Sequence, residues 1–225
     1  SDEFKKIAVG LSLPSLRIES SIEKFPQLLS YLKRTGLTLA PEAGSQRLRE
    51  IIGKKIDIEY LKKCVAQAKD LKWRRIKLYF MIGLPTETDQ DLDEMCGLIN
   101  EISSVFGKRK SDTKNLVVSI SNFVPKPHTP FQWCGMDTID NLYRKQKYIR
   151  SKIYARNIKL DFHNPQTSFV EALLSLGDKR ISEALSRAHE KGALLQAWTD
   201  FFKFELWQEV FRELNFDAET AVYSP

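Results

Sequence analysis

KLYFMIGLPTE, residues 77–87, is the stretch on which the fold turns. An apolar run of strand type ends in a Gly-Leu-Pro turn, and a carboxylate, Glu87, stands at the mouth of the helical pattern that follows. Such a βα junction places its loop at the carboxyl edge of a sheet, where open α/β sheets and barrels hold their ligands. The pattern recurs on both sides. LTLAPEAG (37–44) is a short apolar strand followed by Pro, Glu and Gly, and VVSISNFVPKPHTP (117–130) is a strand running into a proline-rich loop. Three strand ends of this chemistry point to one shared site.

Around that stretch, periodicity predicts strands over 7–13, 37–40, 76–82, 116–123 and 158–162. Helices fill the gaps, over 45–52 and 58–71, parted at Gly53 with Asp57 as a cap, and over 88–106. In the last of these Leu92, Met95, Ile99, Ile102 and Phe106 share one face, while Thr88, Asp89 and Asp91 bring a capping oxygen and negative charge to the amino end. Strands spaced by helices imply parallel pairing, hence a βα array that is open or closed into a barrel. After Asn164 the pattern is helical alone, over 166–176, 181–191 and 197–214, so residues 1–164 and 165–225 are expected as two domains. The final helix carries Trp198, Phe201, Phe202, Phe204, Trp207 and Phe211, more aromatics than one stripe needs; it reads as a cap packed on the α/β part or as a docking face.

At 225 residues, 42% hydrophobic and 28% charged, the chain is of globular type and long enough to bury a core. No apolar run reaches the roughly 18 to 20 residues of a membrane span, and the opening SDEFKK is too polar for a secretory signal, so a cytoplasmic protein is expected. The three cysteines, Cys64, Cys96 and Cys134, have no CxxC spacing and specify neither a disulfide framework nor a local zinc site. A net charge of +6 is unevenly placed. Arg144, Lys145, Lys147, Arg150, Lys152, Arg156 and Lys159, interleaved with tyrosines and backed by Leu142, Ile149 and Ile153, predict a basic helix over 143–159. It serves as a solvated outer face or as a contact to phosphate backbone, and Lys108, Arg109 and Lys110 form a similar loop cluster.

Taken in order, LSLPSLR (11–17), GLTLAPEAGSQRLR (36–49), KLYFMIGLPTET (77–88) and SNFVPKPHTPFQW (121–133) closely resemble the later strands of the radical S-adenosylmethionine (SAM) barrel. Within that superfamily they are most similar to the B12-binding-domain radical SAM proteins, with methylthiotransferases as more distant relatives, and EALLSLGDKR (171–180) with Trp198 looks like that subfamily's helical extension. The resemblance implies an α/β fold, the last four strands of a six-stranded (β/α) barrel of radical SAM type, followed by an α-helical C-terminal extension. It implies SAM and a [4Fe-4S] cluster as cofactors of the full-length protein, and cobalamin as a further option through an upstream domain. The cluster's CxxxCxxC loop has no counterpart among these residues, so residue 1 is expected to lie partway through a larger protein whose earlier part is this chain's partner. An unpaired edge at 7–13 would then favour self-association.

By the same resemblance Ser15 and Arg17, Glu42, the Ile82-Gly83 turn and the Phe123-Val124-Pro125 edge surround SAM. The chemistry suits them. A carboxylate such as Glu42 accepts from ribose hydroxyls, Arg17 or a lysine meets the SAM carboxylate, a flat adenine packs on strand-edge backbone, and Gly83 permits close approach. Tyr79 and Met81 depart from the relatives' glycine-isoleucine-glycine pattern. Glu87 reads as a helix-end charge worth about 0.3 to 1 kcal/mol. His128, between two prolines, is a proton donor, a substrate contact or an exposed loop residue, and His163 and His189 have no partner pattern. Two other classes stay open. One is a self-contained hydrolase or isomerase using Glu42 with His128, although no nucleophile elbow, phosphate loop or metal cluster accompanies them; the other is an RNA-binding or scaffold module using the 143–159 helix.

Overall fold

The computed structural model describes residues 36–107 and 115–224. The expected strand at 7–13, Ser15 and Arg17, and the Lys108 to Lys110 cluster lie outside the described residues. In chain order the elements are β1 (Leu37–Glu42), α1 (Gln46–Ile51), α2 (Ile58–Asp70), β2 (Ile76–Ile82), α3 (Asp89–Phe106), β3 (Leu116–Asn122), α4 (Ile139–Lys152), β4 (Ile158–Phe162), α5 (Pro165–Leu176), α6 (Arg180–Glu190), α7 (Phe204–Glu213) and α8 (Ala218–Tyr223).

The four strands form one sheet in the order β1-β2-β3-β4. β1 runs parallel to β2, with Leu37 opposite Ile76 and Leu39 opposite Leu78, and β3 runs parallel to β4, with Leu116 opposite Ile158. Between β2 and β3 the Ile76 amide donates to the Asn115 carbonyl and the Phe123 amide to the Ile82 carbonyl, so partners advance together as in a parallel pair. Each strand lies beside its predecessor. A doubly wound sheet reverses direction at a switch point; this sequential order is consistent with part of a (β/α) barrel.

Contacts divide the described chain into two compact units, one of residues 36–81, 87–107, 115–121 and 147–162, the other of 82–86, 122–146 and 163–224. In the first, one sheet face supplies Leu39, Ile76, Leu78, Val118 and Ile120, all buried, and α3 turns Leu92, Met95, Ile99, Ile102 and Phe106 into the same core, as its period demanded. Each such side chain contributes about 1.5 to 3 kcal/mol. On β2 the opposite face is more open: Lys77 and Met81 are half-buried, Tyr79 is exposed, and the Lys77 ammonium lies 4.5 Å from the Tyr79 ring centroid. α2 packs along α3 and is capped by Asp57, which accepts from the Glu59 and Tyr60 amides.

The second unit is built on α5, whose amino end is capped by Asn164 with Pro165 at the first position. Phe169 from α5 meets Phe204 and Tyr223 edge-on or tilted, and α6 packs against α7. The expected helix over 197–214 is corrected here: α7 begins only at Phe204. Gln196 organises the preceding turns, its amide donating to the Phe201 carbonyl and its oxygen accepting from the Lys203 amide and the Trp207 indole. That is why the aromatics exceeded one stripe. Phe204, Trp207 and Phe211 are buried from α7, whereas Trp198 and Phe201 are exposed on the turns before it. Among the described residues, no helix is long and apolar enough to cross a membrane.

Candidate functional site

Glu42 closes β1 in an unusual backbone. The ladder slips between Leu39 and Glu42, which comes opposite Phe80, and Glu42 itself has φ of 67°. The Ala43 amide donates to the Pro41 carbonyl at 2.8 Å, which closes a three-residue γ-turn of the rare positive-φ kind around Glu42. A non-glycine residue held there costs on the order of 1 to 3 kcal/mol, and such strain gathers at functional sites. The Glu42 side chain is 24% exposed and its Oε1 lies 3.2 Å from the Lys54 ammonium. Sequence reasoning missed Lys54, which is twelve residues away with a helix between.

Three devices hold this turn. Gly44 lies against α3, where a Cβ would strike Met95 and come within 2.5 Å of the Asp91 carbonyl oxygen. Arg49, buried on α1, donates from Nη1 to the carbonyls of Ala43 at 3.1 Å and Gly44 at 2.9 Å. Burial lowers the Arg49 pKa, against the opposing pull of Glu94 and Glu50. Asp91 is the third. It accepts from the Ser45 hydroxyl and the Arg47 guanidinium, and from both the backbone and hydroxyl of Thr88. Burial would raise the Asp91 pKa, but the hydrogen bonds from Arg47, Ser45 and Thr88 outweigh it and hold the carboxyl down at about 2. Ser45 also caps α1 through the Leu48 amide.

In the second unit Ile82 and Phe123 adjoin, through the Phe123 amide to Ile82 carbonyl bond of 2.8 Å. Gly83 has φ of 77°, and a Cβ there would lie 2.9 Å from Leu142 and 3.2 Å from the Asp137 Cβ. Within this unit its small size is required by α4 and the segment before it. The Phe123 ring is buried edge-on against Phe131, with centroids 5.8 Å apart, Val124 is half-buried and Pro125 is buried. His128 is exposed with φ of 62°, and its amide donates to Gln132. Sequence reasoning also missed Asp137, whose carboxylate accepts from the buried Lys145 at 2.8 Å and from Asn141. Its aspartate stands before α4 rather than on it, so no helical spacing announces the pair. Glu42 belongs to the first unit and these residues to the second.

The basic helix over 143–159 is also corrected. α4 stops at Lys152; Tyr154 and Arg156 follow it, and Lys159 is on β4. Residues 153–157 then carry the chain to β4, where Ile158 lies extended opposite Leu116. The cations also have local work. Lys145 pairs with Asp137, Lys152 with Asp93 at 3.1 Å, and Arg150 stacks on Phe162 at 4.5 Å. Cys64 and Cys96 are buried in α2 and α3, where burial pushes both thiols up to about 11, and Cys134 is half-buried in a loop. These thiols do not fit the thiolate set of an iron-sulfur cluster, and among the described residues no group of three or more His, Cys, Asp or Glu is placed to hold a metal ion. What the first unit does offer is a carboxylate on a fixed, strained turn at a strand end, suited to accept from a pair of hydroxyls.

Two comparisons bear on this arrangement. Residues 2–99, which include β1, the Glu42 turn, α1, α2, β2 and the first part of α3, match the family model described as the Radical SAM superfamily. The chain is also similar to the uncharacterized protein MJ0966 of Methanocaldococcus jannaschii, at 32% identity over 191 residues. That match covers 85% of this chain and 40% of the relative, so the chain spans well under half the length of the protein it resembles.

Proposed function

We propose that this chain takes part in a radical SAM reaction, contributing later strands of the barrel, with Glu42 as the acceptor for the ribose hydroxyls of SAM. The observation that carries the reading is the Glu42 γ-turn within the matched segment 2–99. A glutamate at a strand end, kept in a costly backbone conformation with its carboxylate reaching only a half-exposed lysine, has more strain than one such ion pair at the surface repays. By the resemblance alone, Ser15, Arg17, the Ile82-Gly83 turn and the Phe123-Val124-Pro125 edge remain candidates for SAM binding, and His128 for a substrate contact. In the family a [4Fe-4S] cluster supplies the electron that cleaves SAM. The three cysteines here do not fit as its ligands, and the roles derived for these residues are binding and orientation.

Glu42→Gln keeps the shape but loses the charge-assisted part of the ribose hydrogen bonds. The loss is on the order of 1 to 2 kcal/mol, or roughly tenfold in SAM affinity. Glu87→Gln, at the start of the Thr88-capped helix, should change it far less. Calorimetric titration of SAM into the intact protein and the two variants decides; equal losses, or a larger one for Glu87→Gln, overturn the assignment.

A further inference from the structure

We infer that Arg49 is a positioning residue for Glu42, a role that rests on the ribose reading above. Among the described residues its side-chain hydrogen bonds run from Nη1 to the Ala43 and Gly44 carbonyls, the two that directly follow Glu42. The Ala43 amide is already tied to Pro41. Three successive peptide units are thereby fixed at one or the other side, and the chain between Pro41 and Ser45 has no freedom left to relax Glu42 from φ of 67° into an ordinary strand conformation. The side chain that emerges from this turn then points one way.

Packing alone does not account for an arginine at this place. The residue is 5% exposed, its Nε is buried without a hydrogen-bond partner among the described residues, and the pull of Glu94 and Glu50 does not offset the cost of burying its charge. A buried cation so poorly compensated is a liability that an apolar residue of similar length would avoid. Nη1 holds its two N–H groups in the fixed guanidinium plane, one towards each carbonyl, whereas a lysine ammonium carries its donors on a flexible stem and fixes them less firmly. α1 is six residues long, so the arginine in its last turn is carried back beneath the loop that precedes the helix.

The test uses the intact protein and reads SAM affinity by calorimetry beside the unfolding midpoint. Arg49→Met should raise the SAM dissociation constant about tenfold, Arg49→Lys about threefold, and Glu42→Ala with Arg49→Met should bind no worse than Glu42→Ala alone. Asp57→Ala, which removes the α2 cap without touching the turn, is the control: a lowered midpoint with unchanged affinity. If the Arg49 variants behave like that control while Glu42→Ala loses SAM binding, Arg49 is only structural and the inference fails while the Glu42 reading survives. Additive losses in the double variant also overturn it. Unchanged affinity in Glu42→Ala overturns the ribose reading, and this inference falls with it. Should Arg49→Met not fold, Arg49→Lys carries the same comparison.

Discussion

Asp91→Asn is the perturbation with the most readable consequence. The wild-type carboxyl is held at about 2 against an ordinary 3.8, so the folded state binds its proton more weakly than the unfolded state does. Each pKa unit is 1.36 kcal/mol, which makes this carboxylate worth about 2 kcal/mol of stability wherever both states are ionised. That contribution is complete above the unfolded value near 4 and is lost as pH falls from there through about 2. Asparagine does not titrate. It also brings one acceptor where the aspartate has two, one oxygen for Ser45 and the other for Arg47 and Thr88, so a donor is orphaned at a further cost of about 1 to 3 kcal/mol. Urea unfolding of both proteins between pH 2 and pH 7 should give a stability difference of about 3 to 5 kcal/mol at neutrality that shrinks by about 2 kcal/mol towards pH 2. The other carboxylates are common to both proteins and cancel. A difference that stays flat across that range refutes the view that Asp91 is charged and specifically hydrogen-bonded in the fold.

Further substitutions probe the supports of the two units. Gly44→Ala places a methyl group against Met95 and the Asp91 carbonyl, where backbone must move; a loss of about 1 to 3 kcal/mol is expected, which thermal melting reads at roughly 2 to 4 °C per kcal/mol. Lys145→Met removes the cation from a pair in which the lysine side chain is 5% and the aspartate 18% exposed, and should cost about 3 kcal/mol in urea unfolding, part of it recovered when Asp137→Asn is added. No recovery in the double variant would mean that Lys145 acts through packing rather than charge.

What the sequence announced was local. The 3.6-residue face of α3, the Asp57 cap and the strand of 76–82 depend on neighbours a few residues away, and each stands where the sequence placed it. The misplaced helix ends have tertiary causes: Gln196 bonding to Trp207 holds the 197–203 segment as turns, and the basic helix expected over 143–159 stops at Lys152, short of the strand that the sequence also placed at 158–162. At the site, Glu42 was legible as a glutamate after proline at a strand end. Its strained φ was not, because that depends on Arg49 and on Asp91, which reaches Ser45 across 46 positions of chain. Asp91 itself reads in sequence as an ordinary first-turn acid; only the fold makes it the tie between the β1 loop and α3. Lys54 and Lys145 were hidden in the same way, as cations among many whose acidic partners are set by tertiary geometry.

The loop that follows β3 is fastened by residues far along the chain. A Cβ on Gly135 would fall on the Tyr223 carbonyl, the Met136 amide donates to the Val222 carbonyl, and the Tyr223 hydroxyl accepts from the Ile139 amide. During synthesis, at roughly 5 to 20 residues per second, the 123–138 segment must therefore wait for several seconds after it leaves the ribosome before its clasp exists. Until then the Met136 and Ile139 amides lack the acceptors contributed by α8. A nascent chain of this protein would leave its proline-rich loop unclasped over that interval, and a chaperone or prolyl isomerase acting on it would find its window there, between the emergence of Pro125 and the arrival of Val222.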